Sequence, residues 1–345
     1  MDIRLPPRGD LRWVILGRHH TQDRLIERLT DAGFPPPLVV IDPQHTYDRD
    51  RRLLIPHGLF GRLDELAAAG RAVVVEVEEI NGPEFLALVA RHRCTAAFST
   101  ACRAIIKKPV LEAFSGLVFN IHGAWLPVER GGGLNSWKIL NGSHSVASTI
   151  HMVDEGIDSG AILFRHKMPL ATDRPIPLDY DRGQMACSRV VMDAFVDAVL
   201  SGLPLAATAQ DDDEMIYLPR LHTELNGAID LDWPVAMVER FVRAFSDPYP
   251  GAHTFLKDRR VHLHDAEIVQ ADGFHPFCNG KVVTVRRDGG VNLVAGGGLL
   301  RVREVTVDGR RDAAAAVLRT RHTLHTPAEG LVAARVSVPS VKAMK

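Results

Sequence analysis

Short apolar runs bounded by turn-forming residues recur through the first part of the chain, at Trp13–Leu16, Leu38–Ile41, Ala72–Val75, Thr95–Ser99 and Leu117–Phe119. Runs of this length fit strands buried on both faces. Between them the apolar spacing turns helical, over Thr21–Leu29, Arg62–Ala69 and Pro83–Arg91, the last with proline in its first turn. Arg51–Leu54 opens on two basic residues and reads either way. Strand and helix in alternation predict parallel βαβ units with right-handed crossovers, hence an α/β chain with an open, Rossmann-like sheet. Further on, Asn135–Leu140 reads as a short helix, and Thr149–Val153 and Ala161–Phe164 as strands. Met185, Val190, Val191, Phe195, Val196 and Val199 have the spacing of an amphipathic helix over Gln184–Leu200.

The pattern changes after Leu203. Gln210–Glu214 is polar and acidic, the composition of a solvated linker, and the expected division is 1–205 and 206–345. A helix over Pro234–Phe245 opens the second part. Five short strands then follow, His253–Leu256, Val261–Leu263, Val282–Val285, Val291–Val294 and Leu299–Val305, separated by turns such as Asp288-Gly289-Gly290. That pattern predicts a small OB-like barrel. Beyond Ala313 a helical patch and a weakly structured tail are expected.

A length of 345 residues suits two domains, and 46% hydrophobic with 24% charged residues is enough to build ordinary cores. The formal net charge of -1 gives no general attraction to nucleic acid or an anionic membrane. Cys94, Cys102, Cys187 and Cys278 form neither a CxxC pair nor a zinc spacing; two of them fall in a strand-like apolar region and read as buried thiols, and a reducing cytoplasm is expected. The first residues lack the apolar core of a signal peptide, and no run is long enough to span a membrane. Gly17-Arg18-His19-His20 is not a dinucleotide fingerprint.

The chemistry concentrates between Leu117 and Phe164. The strand at Leu117 runs into Asn120-Ile121-His122, and the two-residue repeat of a strand sends Asn120 and His122 to one side. Ligands of open α/β sheets bind at such strand ends. An amide can donate to an oxyanion, an imidazole can carry a proton near neutral pH, and a carboxylate can hold the imidazole or take an amine's proton. On their own, Asn and His at a strand end are more often caps of the following loop. A loop rich in Gly and Pro follows at Leu126–Gly133, and a polar turn, Asp154-Glu155-Gly156-Ile157-Asp158-Ser159-Gly160, closes the region.

The order N-x-H, then Leu-Pro and a Gly-rich loop, then H-x-V-x-x-x-x-D-x-G resembles the folate-dependent formyltransferases, which include glycinamide ribonucleotide transformylases, methionyl-tRNA formyltransferases and sugar N-formyltransferases. The likeness spans roughly Arg12 to Val307, and the 36 positions from His122 to Asp158 are a long constraint to meet. It implies Asn120, His122 and Asp158 as catalytic residues and N10-formyltetrahydrofolate as co-substrate, with no metal. Ile105 and Ile106 would lie where the family's backbone meets the pterin, and Asp154, Glu155, Gly156 and Ile157 on the same folate side. The second half, with Ile229-Asp230, Trp233, Arg243-Ala244-Phe245 and Pro248-Tyr249-Pro250-Gly251-Ala252, is similar to the C-terminal module of the tRNA enzymes and of some sugar-modifying relatives. Homodimerisation through that module is a further expectation.

The chain departs from the tRNA enzymes after His122. Ala124-Trp125-Leu126-Pro127 stands where they carry Ser-Leu-Leu-Pro, and Glu129-Arg130-Gly131-Gly132-Gly133 replaces a single glycine. This loop reads as an altered acceptor-side wall, with Trp125, Arg130, Gly131, Gly132 and Asn135 as substrate-binding candidates; Trp125 packing beneath the loop is the even alternative. From Leu205 to Lys345 there are 18 Lys plus Arg and 18 Asp plus Glu, no basic excess for phosphates of a tRNA. The expected acceptor is therefore a small-molecule amine, first a nucleotide-linked amino sugar and second a hydroxyornithine-type siderophore precursor. Methionyl-tRNA is the runner-up, because the C-terminal module matches.

Overall fold

A computed structural model of the protein describes residues 1–337, so the end of the expected tail, 338–345, lies outside the described residues. The first half is built on a seven-stranded sheet. Its strands are β1 (Trp13–Leu16), β2 (Leu38–Ile41), β3 (Val73–Glu76), β4 (Ala96–Thr100), β5 (Val118–His122), β6 (Ser145–Met152) and β7 (Ile162–Pro169), in the order β3-β2-β1-β4-β5-β6-β7. Pairing is parallel from β3 to β5 and antiparallel from β5 to β7. The sequence pattern places the first four strands to within one residue and stops the fifth three residues short, at Phe119 instead of His122. It underestimates β6 and β7, whose alternating, half-polar ends do not look like continuous apolar runs.

Successive strand residues go to opposite faces. Trp13, Ile15, Phe98 and Phe119 join one apolar core, while Val14, Leu16, Ala97 and Val118 join the other. Helices α1 (Thr21–Asp31), α2 (Pro83–Arg91), α3 (Leu134–Leu140) and α4 (Pro177–Ser201) follow in chain order. On α4, Phe195 is the hub of an aromatic cluster, with ring centroids 5.2 Å from Phe98 and Phe119, 5.8 Å from Trp13 and 6.3 Å from Phe164. Phe195→Ala leaves a void in this rigid packing and is expected to cost about 3–5 kcal/mol, read as a lowered urea midpoint.

The second half opens with α5 (Val235–Ala244) and forms an antiparallel sheet of β8 (Ala252–Leu256), β9 (Arg259–Gln270), β10 (Val282–Val285), β11 (Val291–Ala295), β12 (Gly298–Val307), β13 (Arg310–Ala313) and β14 (Leu324–His325). The order is β10-β11-β12-β9-β8-β14, with β13 beside β12, and a bridge between Lys281 and Thr323 brings the two ends of the order together. The curled sheet thus has two more strands than the five expected, both too short to show a period. Helix α5 joins its core to the first half: Val238 and Val242 share a cluster with Ile139, Val146 and Tyr180, and Ser136 Oγ donates to the Ala244 carbonyl at 2.8 Å.

The segment between the halves is not a free linker. Leu205–Ala206 pairs with Asp2–Ile3, and Tyr217–Leu218 runs parallel to Arg130–Gly131. Asp211–Glu214 are exposed, as their charge requires, but Gln210 is half-buried and bonded into the first half. Among the described residues no helix is long and apolar enough to cross a membrane.

Candidate active site

Register sets the site. Asn120 on β5 stands opposite Ser99 on β4 and His151 on β6, and His122 stands opposite Thr149. Asn120 Nδ2 lies 3.1 Å from His151 Nε2, and His151 Nδ1 lies 2.6 Å from the Met152 carbonyl oxygen. A carbonyl accepts only, so His151 carries its proton on Nδ1 and takes the Asn120 N–H at Nε2. This leaves the second Asn120 N–H uncommitted. His122, 7% exposed, donates from Nε2 to the Glu129 carbonyl at 2.8 Å. Its Nδ1 therefore faces Asp158 Oδ2, 3.7 Å away.

Asp158 sits in the left-handed region at φ 53°, a conformation uncommon for a residue with a Cβ. Its Oδ2 accepts from the Gly131 N–H at 3.0 Å, and its Oδ1 lies 3.6 Å from His151 Nε2. Burial alone would raise its pKa, but the contact with His151, the field of His122 and the Gly131 N–H outweigh burial and hold the carboxyl at about 2. Burial lowers His122 below the ordinary imidazole range, against the opposing pull of Asp158 and the Glu129 carbonyl. The resting pair at neutral pH is a neutral imidazole beside a carboxylate. A proton titration of His122 followed by NMR is expected to give a midpoint below 6.5. Asp158→Asn removes the largest influence that raises it, so the midpoint of that variant moves further down.

These side chains border a cleft of about 290 Å³. The segment after β4 contributes Ala104, Ile105 and Ile106, and the turn after β6 contributes Val153, Asp154, Gly156 and Ile157. Ile105 and Ile157 keep 52% and 42% of their surface exposed, so the cleft presents bare aliphatic side chains to solvent, the surface a flat aromatic ligand would cover. Asp154 Oδ1 accepts from Gly156 N and Ser159 Oγ at 3.1 and 2.6 Å, which shapes the turn. Glu155 is exposed on the same turn and does not border the cleft.

Of the acceptor-side candidates, Gly131 lines the cleft, whereas Trp125, Arg130, Gly132 and Asn135 do not. Trp125 lies under the Arg165 guanidinium, 4.1 Å from its ring centroid. Arg130 is 5% exposed and bonds Gln210 and Asp212. Asn135 Nδ2 donates to Asp181 Oδ1 at 2.7 Å, and burial pushes that carboxyl up to about 6 despite the bond. The glycines have a backbone reason: a Cβ on Gly131 would sit 2.2 Å from the Leu218 carbonyl oxygen, and one on Gly132 3.2 Å from Arg220 Cβ. The segment joining the two halves packs directly on the loop.

Beside that loop lies a group of guanidinium side chains. Arg103 pairs with Asp50 at 2.5 Å and lies over the Tyr47 ring, while its neighbours Cys102 and Ala104 line the cleft. Arg220, itself exposed, feels the like charges of Arg49 and Arg103, with Asp50 opposing. Among the described residues Arg49 and Arg220 have no hydrogen-bonded or ion-paired partner, and Asp50 pairs with Arg103 alone.

Sequence reasoning missed three side chains. His151 appeared only as a letter of the motif, although its place two residues after Thr149 on an alternating strand could have aligned it with Asn120. Lys138 looks like any helix lysine, yet its buried Nζ donates to the Gly123 carbonyl at 2.6 Å and lies 3.8 Å from Glu129 Oε2. Gln210 sits in an acidic run that carries no signal of contact with the site. Among the described residues no cluster of His, Cys, Asp and Glu could hold a metal ion.

Two family profiles cover the chain: the formyl transferase domain matches residues 22–193, and the formyl transferase C-terminal domain matches 223–322. Methionyl-tRNA formyltransferase of Ruminiclostridium cellulolyticum is 26% identical over 82% of this chain and 88% of its own length. The enzyme of the same name from Geobacter sulfurreducens is 26% identical over 87% and 90%. An N-formyltransferase of Helicobacter canadensis, solved with folinic acid and dTDP-3-aminofucose, shares the fold with a TM-score of 0.57 at 17% identity, over 85% of this chain and 98% of that one.

Proposed function

The chain belongs to the formyl transferase family, and on that premise we propose that it moves a formyl group from N10-formyltetrahydrofolate to the primary amine of a nucleotide-linked amino sugar. The observation that carries the transfer chemistry is the convergence of Asn120, His122 and Asp158 on one cleft whose rim is aliphatic. The cleft fits a folate: exposed Ile105 and Ile157 would cover the pterin faces, and the backbone of the 104–106 segment would meet its polar edge. The folate supplies the formyl carbon.

The residues of the chain then divide the work. Asn120 directs its uncommitted N–H at the formyl oxygen, where negative charge develops as the amine attacks. His122, neutral at rest, takes the amine's proton on Nδ1, and Asp158 stabilises the imidazolium so formed. The same proton passes from Nδ1 to the departing folate nitrogen, which restores the neutral imidazole. His151 holds the Asn120 amide, and Glu129 fixes the His122 tautomer through its carbonyl. Burial disfavours an imidazolium at His122 before substrate arrives.

For the acceptor, support comes from the three arginines beside the loop. Arg49, Arg103 and Arg220 against Asp50 leave an excess of positive charge that suits a diphosphate, while the C-terminal half has no basic excess to follow a tRNA backbone. Methionyl-tRNA is the second reading, favoured by sequence likeness along most of the chain. Folate consumption measured with nucleotide-linked amino sugars, hydroxyornithine and charged initiator methionyl-tRNA separates these readings. Turnover with an amino sugar supports the first; turnover with methionyl-tRNA alone replaces it with the second; consumption without any acceptor replaces both with hydrolysis.

A further inference from the structure

We propose that Gln210 is a positioning residue for Asp158, clamped in turn by Arg130, so that the segment joining the two halves is part of the catalytic centre. The inference rests on the reading of Asp158 as the carboxylate that serves His122. The Gln210 amide is fully used. Its Nε2 donates to the carbonyls of Asp158 and Gly160 at 2.8 and 2.7 Å, and its Oε1 accepts from Arg130 Nε and Nη2 at 3.1 and 2.9 Å. Arg130, itself buried, adds a bond from Nη2 to Asp212 Oδ1 at 2.7 Å. An amide with one face on each side can join a buried guanidinium to two carbonyls; no acid or aliphatic side chain has both donors and acceptor.

Main-chain bonds on either side extend the clamp. Thr208 exchanges both backbone bonds with Ile162, just after the Asp158 turn, at 2.7 and 2.8 Å. Ile216 and Leu218 accept from the N–H groups of Arg130 and Gly132 at 2.9 and 3.0 Å. Residues 208–218 therefore hold together the two loops that meet at Asp158: the turn that carries it, and the glycine loop whose Gly131 N–H grips Oδ2. The left-handed backbone of Asp158 needs such support, because an unsupported non-glycine residue relaxes to other conformations. Its carboxylate would swing away from His122 as it did so. Gly131 and Gly133 admit the segment: a Cβ at Gly133 would lie 2.7 Å from the Leu221 N.

Glutamate at 210 separates positioning from general support. Gln210→Glu keeps an oxygen for Arg130, indeed a charged one, yet turns the donor that faces the Asp158 and Gly160 carbonyls into an acceptor. Expected for Gln210→Glu and Gln210→Ala is a loss of about 10²-fold in kcat, with KM for the formyl donor little changed, since a small misplacement of a catalytic group has that effect. The His122 titration midpoint should fall in both, as expected for Asp158→Asn. In an Asp158→Asn background, Gln210→Ala should add almost nothing, because the group it positions is already gone. Arg130→Lys keeps the charge without the paired bonds and should show a smaller loss of the same kind; it carries the test if the Gln210 variants fail to fold. Wild-type kcat and an unmoved His122 midpoint in folded Gln210→Glu, or losses that simply multiply in the double variant, would overturn the proposal. Full activity in Asp158→Asn alone would instead remove the reading of Asp158 on which it stands.

Discussion

Replacing His122 by alanine is expected to lower kcat for formyl transfer by about 10²–10⁴, the range that one positioned acid–base group supplies. No other side chain in the cleft can replace it. His151 lies close to Asp158, but its Nδ1 proton is committed to the Met152 carbonyl and its Nε2 lone pair to Asn120. Asp158, held at about 2, is too weak a base to take an amine's proton alone. The substitution also leaves the Glu129 carbonyl without its donor, so the loop after β5 loses one anchor. Binding of an unreactive folate separates the two effects: an unchanged Kd with collapsed turnover assigns the loss to chemistry. A folded variant within tenfold of the unmodified protein would remove His122 from the mechanism.

Asn120→Ala is expected to cost about 10²–10³ in kcat, the usual loss on removing one preorganised oxyanion donor. The Asn120 amide has two hydrogens to donate. His151 Nε2 takes one and thereby fixes the plane, which leaves the other aimed at a set point in the cleft. The effect should fall on kcat more than on KM, because the donor is matched to charge that exists only during reaction. Asn120→Asp provides the contrast, since a carboxylate of the same shape offers an acceptor to the oxyanion and should be at least as impaired. Comparable losses in KM and none in kcat would mean that Asn120 binds the resting substrate and does no more.

Much of this site was legible in the sequence because it follows from strand periodicity. Asn120 and His122 share a side because they are two residues apart on β5, and Asp158 follows a strand antiparallel to it. His151 obeys the same rule on β6, and the register between β5 and β6 sets it opposite Asn120. The residues of the acceptor-side loop have structural roles that the sequence does not display. Three glycines and a Trp look like a ligand surface, whereas two of the glycines are required by the close approach of Leu218 and Leu221, and Trp125 packs against Arg165. Arg130 illustrates the same limit: a lone arginine in a flexible loop reads as an anion ligand, and only tertiary structure reveals Gln210 as its partner. The core of the second half was readable as short strands, but β13 and β14 are too brief to carry a period. The meeting of its edges at Lys281 and Thr323 is a long-range event.

The most direct test of formyl transfer uses N10-formyltetrahydrofolate labelled at the formyl carbon, incubated with the protein and the panel of amines. Mass spectrometry then follows the label. The account predicts label on the nitrogen of a nucleotide-linked amino sugar, in step with release of tetrahydrofolate, and abolished in His122→Ala. Label appearing only as free formate, or remaining on the folate with every amine offered, would contradict it.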